Sequence, residues 1–294
     1  MDDLTMDLVR LCRRNRDGSF GTKNNRQRGL AAMADELRDL GYKLPGAASL
    51  KPKHVEALVE KWQNDDKTDA TIRNRLTWLR WWAEKINKPN VIRRDNDAYG
   101  VGERGTPTRN RAYALDPQKL RLVEDPYIQA SVQLQAQFGL RREEAMKFRP
   151  QLAIRGDHIA LQSSWTKGGR ARSVPITTTG QRQLLQNISQ MVKGRDSLIP
   201  NQLTYAEHMK RFEHQTAKAG LRNTHGLRHA YAQHRYQVLT GFACPLAGGK
   251  SWKAMSVGER ASDRAARRQI SAELGHARLK ITDTYLGSAF HEAG

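Results

Sequence analysis

The sequence predicts a mainly α protein with a small β-hairpin, an α+β chain in which a helical domain precedes a mixed one. Three observations predict this. Apolar residues recur at helical spacing along most of the chain. The period shortens to two only around His158–Gln162 and Arg172–Ile176. Periodicity lapses between Asn96 and Asn110, where Gly100, Gly102, Gly105 and Pro107 cluster. The 294 residues suit two domains, each able to bury a core.

The elements follow in order. Leu4, Leu8 and Leu11 mark a first helix; Leu30, Met33, Ala34, Leu37 and Leu40 mark a second, with Gly41 as its stop. Ser49 and Pro52 open a third along Val55, Leu58, Val59 and Trp62. Thr68 or Asp69 caps a fourth along Ile72, Leu76, Leu79, Trp82 and Ile86. We therefore expect a helical domain at 1–98, a linker at 99–111 and a mixed domain at 112–294. In the latter, Pro117 follows Asp116 at a helix start. Helices are expected at Ile128–Gln137, stopping near Gly139, and at Arg142–Phe148, stopping before Pro150. Two short strands join across Gly168 and Gly169. Helices resume at Thr179–Val192, Tyr205–Ala219, His225–Leu239 and Glu259–Leu274, around a Gly-rich aperiodic stretch from Thr240 to Gly258.

Composition excludes several classes. The longest charge-free stretch, 126–140, is 15 residues and carries four glutamines, short of the roughly 20 apolar residues of a membrane span. The opening Met1-Asp2-Asp3 lacks the basic start of a signal peptide. Cys12 and Cys244 alone make neither a disulfide framework nor a four-ligand zinc site. We expect a cytoplasmic protein with no structural metal. The net charge of +20 divides into +6 over residues 1–110 and +14 over 111–294. Such a balance suits a polyanionic partner, because Lys and Arg displace counterions from phosphates. A ribosome-associated protein or a merely basic surface fits the charge as well.

Four segments carry chemistry. Arg141 follows the helix-breaking Gly139 and can point into a cleft, or pair with Glu143 or Glu144 on the surface; the adjacent Arg142 competes for the role. Lys167, in Thr166-Lys167-Gly168-Gly169, tips the hairpin, where it reaches a phosphate or only water. In His225-Gly226-Leu227-Arg228-His229, residues three and four apart share a helix face, so two histidines and an arginine point together. That set reads as a phosphate grip; metal binding is the weaker alternative, because arginine is not a ligand. His276, in Leu274-Gly275-His276, precedes Tyr285 by nine residues. Read alone, Tyr285 is an interfacial aromatic with its hydroxyl capped.

The order of the four segments resembles the catalytic domain of the tyrosine recombinases, the phage-integrase family of site-specific recombinases. Their Gly-Leu-Arg box, hairpin lysine, His-x-Leu-Arg-His box and Leu-Gly-His with a tyrosine nine residues on all occur here, over roughly residues 111–287. Thr71–Arg80 resembles the family's helical core-binding domain less specifically. By position, the resemblance implies Tyr285 as the nucleophile of a 3′-phosphotyrosyl link. Arg141 and Arg228 would hold the non-bridging oxygens. Lys167 would be the general acid, His225 would assist proton transfer and His276 would hydrogen-bond the phosphate. Two guanidiniums supply positioning and charge, so neither metal nor cofactor is implied. No P-loop is present.

The implied partner is duplex DNA, held in a two-domain clamp. Arg73, Arg75 and Arg80, with Lys250 and Lys253, would serve mainly as phosphate contacts. A homotetramer on two sites would exchange strands, with a directionality factor or DNA-bending protein as accessory partner. Integration or excision of a mobile element is the expected biology; an invertase, a dimer resolvase or a type IB topoisomerase would use the same residues. A regulator with a degenerate site is the alternative outside enzymes. Two departures stand out. Arg228 and His276 are 48 residues apart, with the extra length assigned to 240–258 as a surface loop or an added contact. Only Leu286 to Gly294 follow Tyr285, so Leu286 and Phe290 would supply whatever small apolar contact the tail makes.

Overall fold

In the computed structural model the chain divides into two compact units, 1–105 and 106–294. The structure describes residues 2–102, 105, 109–166 and 169–288. Lys167, Gly168, Phe290 and the linker residues Glu103, Arg104 and Pro107 lie outside them.

The first unit is helical: α1 (Asp3–Arg14), α2 (Phe20–Asp39), α3 (Pro52–Asn64) and α4 (Asp69–Lys85). Their starts are set by side chains that take up otherwise unpaired backbone N–H groups. Asp2 accepts from the Thr5 amide, Ser19 from Thr22 and Thr68 from Thr71. The apolar stripes meet in one core of Leu8, Leu30, Met33, Leu37, Val55, Leu58, Leu76 and Leu79. Each such side chain, fully buried, contributes roughly 1.5–3 kcal/mol. The buried tryptophans also satisfy their indole N–H groups. Trp82 donates to the Ala47 carbonyl at 2.9 Å, and Trp62 to Glu36 at 2.7 Å.

The second unit contains α5 (Pro117–Arg121), α6 (Pro126–Phe138), α7 (Arg142–Met146), α8 (Pro150–Ala153), β1 (Ile154–Arg155), β2 (His158–Leu161), β3 (Arg172–Pro175), α9 (Thr179–Met191), α10 (Tyr205–Lys218), α11 (His225–Thr240), α12 (Val257–Glu273) and α13 (Asp283–Leu286). The strands form an antiparallel sheet in the order β1-β2-β3, with Ile159 opposite Val174 and Leu161 opposite Arg172. The first strand, two residues long, has too little alternation to show in the sequence. α7 stops two residues before the expected end; the Phe148 amide closes a tighter turn on the Ala145 carbonyl.

α6 explains the charge-free stretch. One face, with Leu134 and Phe138, belongs to a core shared with the sheet, α9, α11 and α12. Another, with Ile128 and Val132, belongs to a second core with Phe212 and Leu227. A helix covered on two faces leaves no room for a charge. The stretch 240–258 is not a plain surface loop: Cys244 is fully buried in the first core, and Leu246 packs against it.

Candidate active site

The site is assembled by α7, α11, β3 and α13. Gly139 ends α6 with φ +60°, a conformation glycine adopts without strain. A Cβ there would lie 2.5 Å from the Tyr231 ring. This turn aims the Gly139 carbonyl into the unit, where it accepts from Arg228 Nη1. On α11, Gly226 lets the 111–113 segment cross closely; a Cβ would meet the Tyr113 ring at 2.4 Å and the Arg111 carbonyl at 2.6 Å. The glycines of both sequence motifs are thus packing requirements of the site.

Arg228 is fully buried. Its Nη2 donates to the Leu274 carbonyl at 2.6 Å and its Nε to the Tyr285 hydroxyl at 3.2 Å. Burial brings its pKa down to about 10, which leaves it charged at neutral pH. Glu144, 1% exposed, is the counter-charge. It accepts from Arg141 Nη1 at 2.8 Å and from Arg172 at 2.9 and 2.7 Å, and lies 3.9 Å from Arg228. Burial alone would raise its pKa, but Arg172, then Arg141 and Arg228, outweigh burial and hold it at about 2. One carboxylate among three guanidiniums leaves a net positive site, suited to an anion.

The ambiguity between neighbouring arginines has a geometric answer. Arg141 caps α7 and turns to Glu144, whereas Arg142 turns to Glu213 on α10 at 2.8 Å. Arg172 and Glu144 complete the charge cluster, and the sequence reading had not placed Arg172 there. Its signal was present: Arg172 shares a strand face with buried Val174, an unusual place for a charge.

Tyr285 is 5% exposed and ringed by histidines. The His225 Nε2 is 3.4 Å from its hydroxyl. The His276 ring stacks on it at 5.2 Å and 24°, and the His229 ring lies 4.4 Å away. Thr282 fixes His276 through Nδ1 at 2.9 Å, while the buried Nε2 has no partner. Burial first, then neighbouring positive charge (Arg228 and Arg141 for His225 and His276, His225 and Arg111 for His229), pushes His225 and His229 down to about 4 and His276 to about 3. All three are neutral at pH 7. A cleft of about 500 Å³ lined in part by Arg142, Arg222, Asn223 and His225 opens beside them. Among the described residues no group of three or more His, Cys, Asp or Glu is arranged to hold a metal ion.

The structure therefore brings together Arg141, His225, Arg228, His276 and Tyr285. Lys167 lies outside the described residues. Several of the expected phosphate contacts have internal partners. Arg75 pairs with Glu36 at 2.8 Å and lies over the Trp62 ring at 4.9 Å. Arg80 is tied to the Arg93 carbonyl and to Asn96 at 2.9 Å. Arg73 donates to the Gly102 carbonyl. Lys250 pairs with Glu259 at 2.7 Å, and Lys253 is exposed. No described helix is long and apolar enough to cross a membrane.

Fold and site together define a site-specific recombinase of the tyrosine class. The chain belongs to the phage integrase family: the family described as phage integrase, N-terminal, matches residues 1–88, and that described as integrase matches 102–234. No curated protein matches by sequence. Solved structures share the fold, among them the following three. The XerH site-specific recombinase bound to palindromic difH substrate is 18% identical, with TM-score 0.58, over 96% of this chain and 80% of that one. The Tn1549 transposon integrase in complex with transposon right end DNA is 14% identical, with TM-score 0.58, over 98% and 96%. A lambda integrase dimer bound to a COC′ core site is 14% identical, with TM-score 0.60, over 97% and 77%.

Proposed function

We propose that this recombinase cleaves and rejoins duplex DNA through a 3′-phosphotyrosyl intermediate on Tyr285, integrating or excising a mobile element. The observation that carries the reading is the Tyr285 hydroxyl, 3.2 Å from the Arg228 Nε and 3.4 Å from the His225 Nε2, beside a cluster of three arginines. A phenol is a weak nucleophile at neutral pH and needs a base and positive charge beside it. Neutral His225 accepts the phenolic proton when its own hydrogen is on Nδ1. The phenolic oxygen then bonds to phosphorus and the bond to the 5′-oxygen breaks. The leaving 5′-oxygen takes a proton from Lys167, the role implied by the family motif. Arg141 and Arg228 hold the non-bridging oxygens and stabilise the charge that builds on them. The unpartnered Nε2 of His276 supplies a further hydrogen bond to the phosphate. Because the phosphotyrosyl bond keeps the energy of the phosphodiester, religation needs no nucleotide. The assembly proposed is a homotetramer on two duplex sites, with an accessory DNA-bending or directionality protein where a site requires it.

Covalent trapping tests the reading. The protein is incubated with nicked duplex fragments from the DNA around its gene, denatured, and examined for a protein–DNA adduct mapped by mass spectrometry. An adduct on Tyr285 that Tyr285→Phe abolishes, with DNA binding retained, is the expected result. An adduct on another residue, or tight binding with no adduct on any fragment, refutes it. Plasmid relaxation without recombinant circles would instead assign the chemistry to a topoisomerase.

A further inference from the structure

Tyr285 sits on α13, only four residues long. A single helical turn does not hold itself, because nucleation is unfavourable and short isolated helices are marginal. Its stability must come from outside. α12 supplies Arg267, 3% exposed. Arg267 Nε donates to both oxygens of Asp263, at 2.8 and 3.0 Å. Its Nη1 donates to Asp283 Oδ1 at 3.0 Å and to the Gly287 carbonyl at 2.8 Å. Those two acceptors are the first residue of α13 and its C-cap, so one nitrogen ties both ends of the turn. Tyr236 on α11 fixes Asp263 from behind, donating at 2.6 Å. The 245–247 turn closes on the same point: a Cβ at Gly287 would lie 3.1 Å from Pro245 Cβ.

We propose that Arg267 is the positioning residue for the nucleophile: it never touches DNA, but sets the placement of Tyr285 by clamping α13 to α12. The proposal rests on Tyr285 being the nucleophile. A guanidinium is required because its planar fork serves a carboxylate with one nitrogen and two further acceptors with another. A lysine ammonium keeps the charge beside Asp263 but not that span.

The test uses the full chain with Arg267→Lys, Asp283→Ala and the double variant. Asp283→Ala removes the acceptor on α13 and leaves the buried Arg267–Asp263 pair intact, so it carries the test even if Arg267→Lys does not fold. Two quantities are read. Amide hydrogen exchange over residues 283–287 needs no DNA; faster exchange confined to this segment is expected in each single variant. Single-turnover adduct formation is then measured on the nicked duplex that traps the wild type, alongside DNA affinity. A rate lower by about 10²-fold is expected, since displacements near 1 Å cost that much, with affinity within about twofold and the double variant no slower than the slower single. Wild-type exchange at 283–287, a wild-type rate, or additive losses in the double variant would each overturn the proposal. A wild-type protein that forms no adduct overturns the reading of Tyr285 instead, and the exchange result then decides whether the clamp exists.

Discussion

Arg228 meets four demands at once. It is buried, it stays charged, it ties the end of α6 to the end of α12, and it touches the tyrosine hydroxyl. Its removal therefore acts on fold and chemistry together, and the informative variant is Arg228→Lys, which keeps the charge. Single-turnover cleavage by Arg228→Lys should fall by about 10²–10³-fold, the usual loss when one preorganised donor goes; a rate near wild type would exclude Arg228 from the transition state. Gly139→Ala tests the turn beneath it. The left-handed conformation costs a non-glycine residue about 1–2 kcal/mol, and the new methyl meets the Tyr231 ring. A lower midpoint in urea denaturation is expected; an unchanged midpoint would show that neither the backbone conformation nor the Tyr231 contact requires a glycine there.

At the scale of elements, most of the helices were legible because their stripes, caps and stops are local. Thr68 caps α4, Asp116 starts α5, and Gly139 ends α6, as the spacing predicts. The misses are equally physical. α13 and β1 are too short for any periodicity to register, and the burial of Cys244 depends on neighbours far away in sequence. On α4 the pattern showed three arginines but not their partners. Arg75 pairs with Glu36 and lies over Trp62, so Arg75→Ala should destabilise the helical domain by about 1–3 kcal/mol, through the loss of the carboxylate's charge partner and of packing. Thermal denaturation of the variant checks this; an unchanged Tm would return Arg75 to the role of a surface cation.

For the whole molecule, charge and titration set the conditions of stability and binding. His229 and His276 titrate at about 4 and about 3, below the unfolded value near 6.5. Below pH 6.5 the unfolded chain gains protons that the folded chain refuses. The stability these groups contribute is thus complete above pH 6.5 and is lost as the pH falls toward 4 and 3. Urea midpoints should decline over that range, and His229→Asn should flatten the decline; an unaltered slope would mean that His229 is protonated in the fold. DNA affinity should fall steeply with salt, since a chain of net charge +20 releases counterions on binding. A flat salt response would contradict extensive phosphate contact.

The sequence by itself determined the helical character and the motif order, and it pointed to Arg141, His225, Arg228, His276 and Tyr285 as residues that the fold brings together. Those properties reside in local spacing and in chemically distinctive side chains. Tertiary structure decided what spacing cannot encode. Arg141 rather than Arg142 faces Glu144, and Arg172 enters the cluster from a strand. The four-residue helix under Tyr285 is held by an arginine sixteen residues upstream. Arg142 is drawn to Glu213 and Arg172 to Glu144 across elements remote in sequence, and the buried carboxylate of Glu144 is satisfied only when those elements meet.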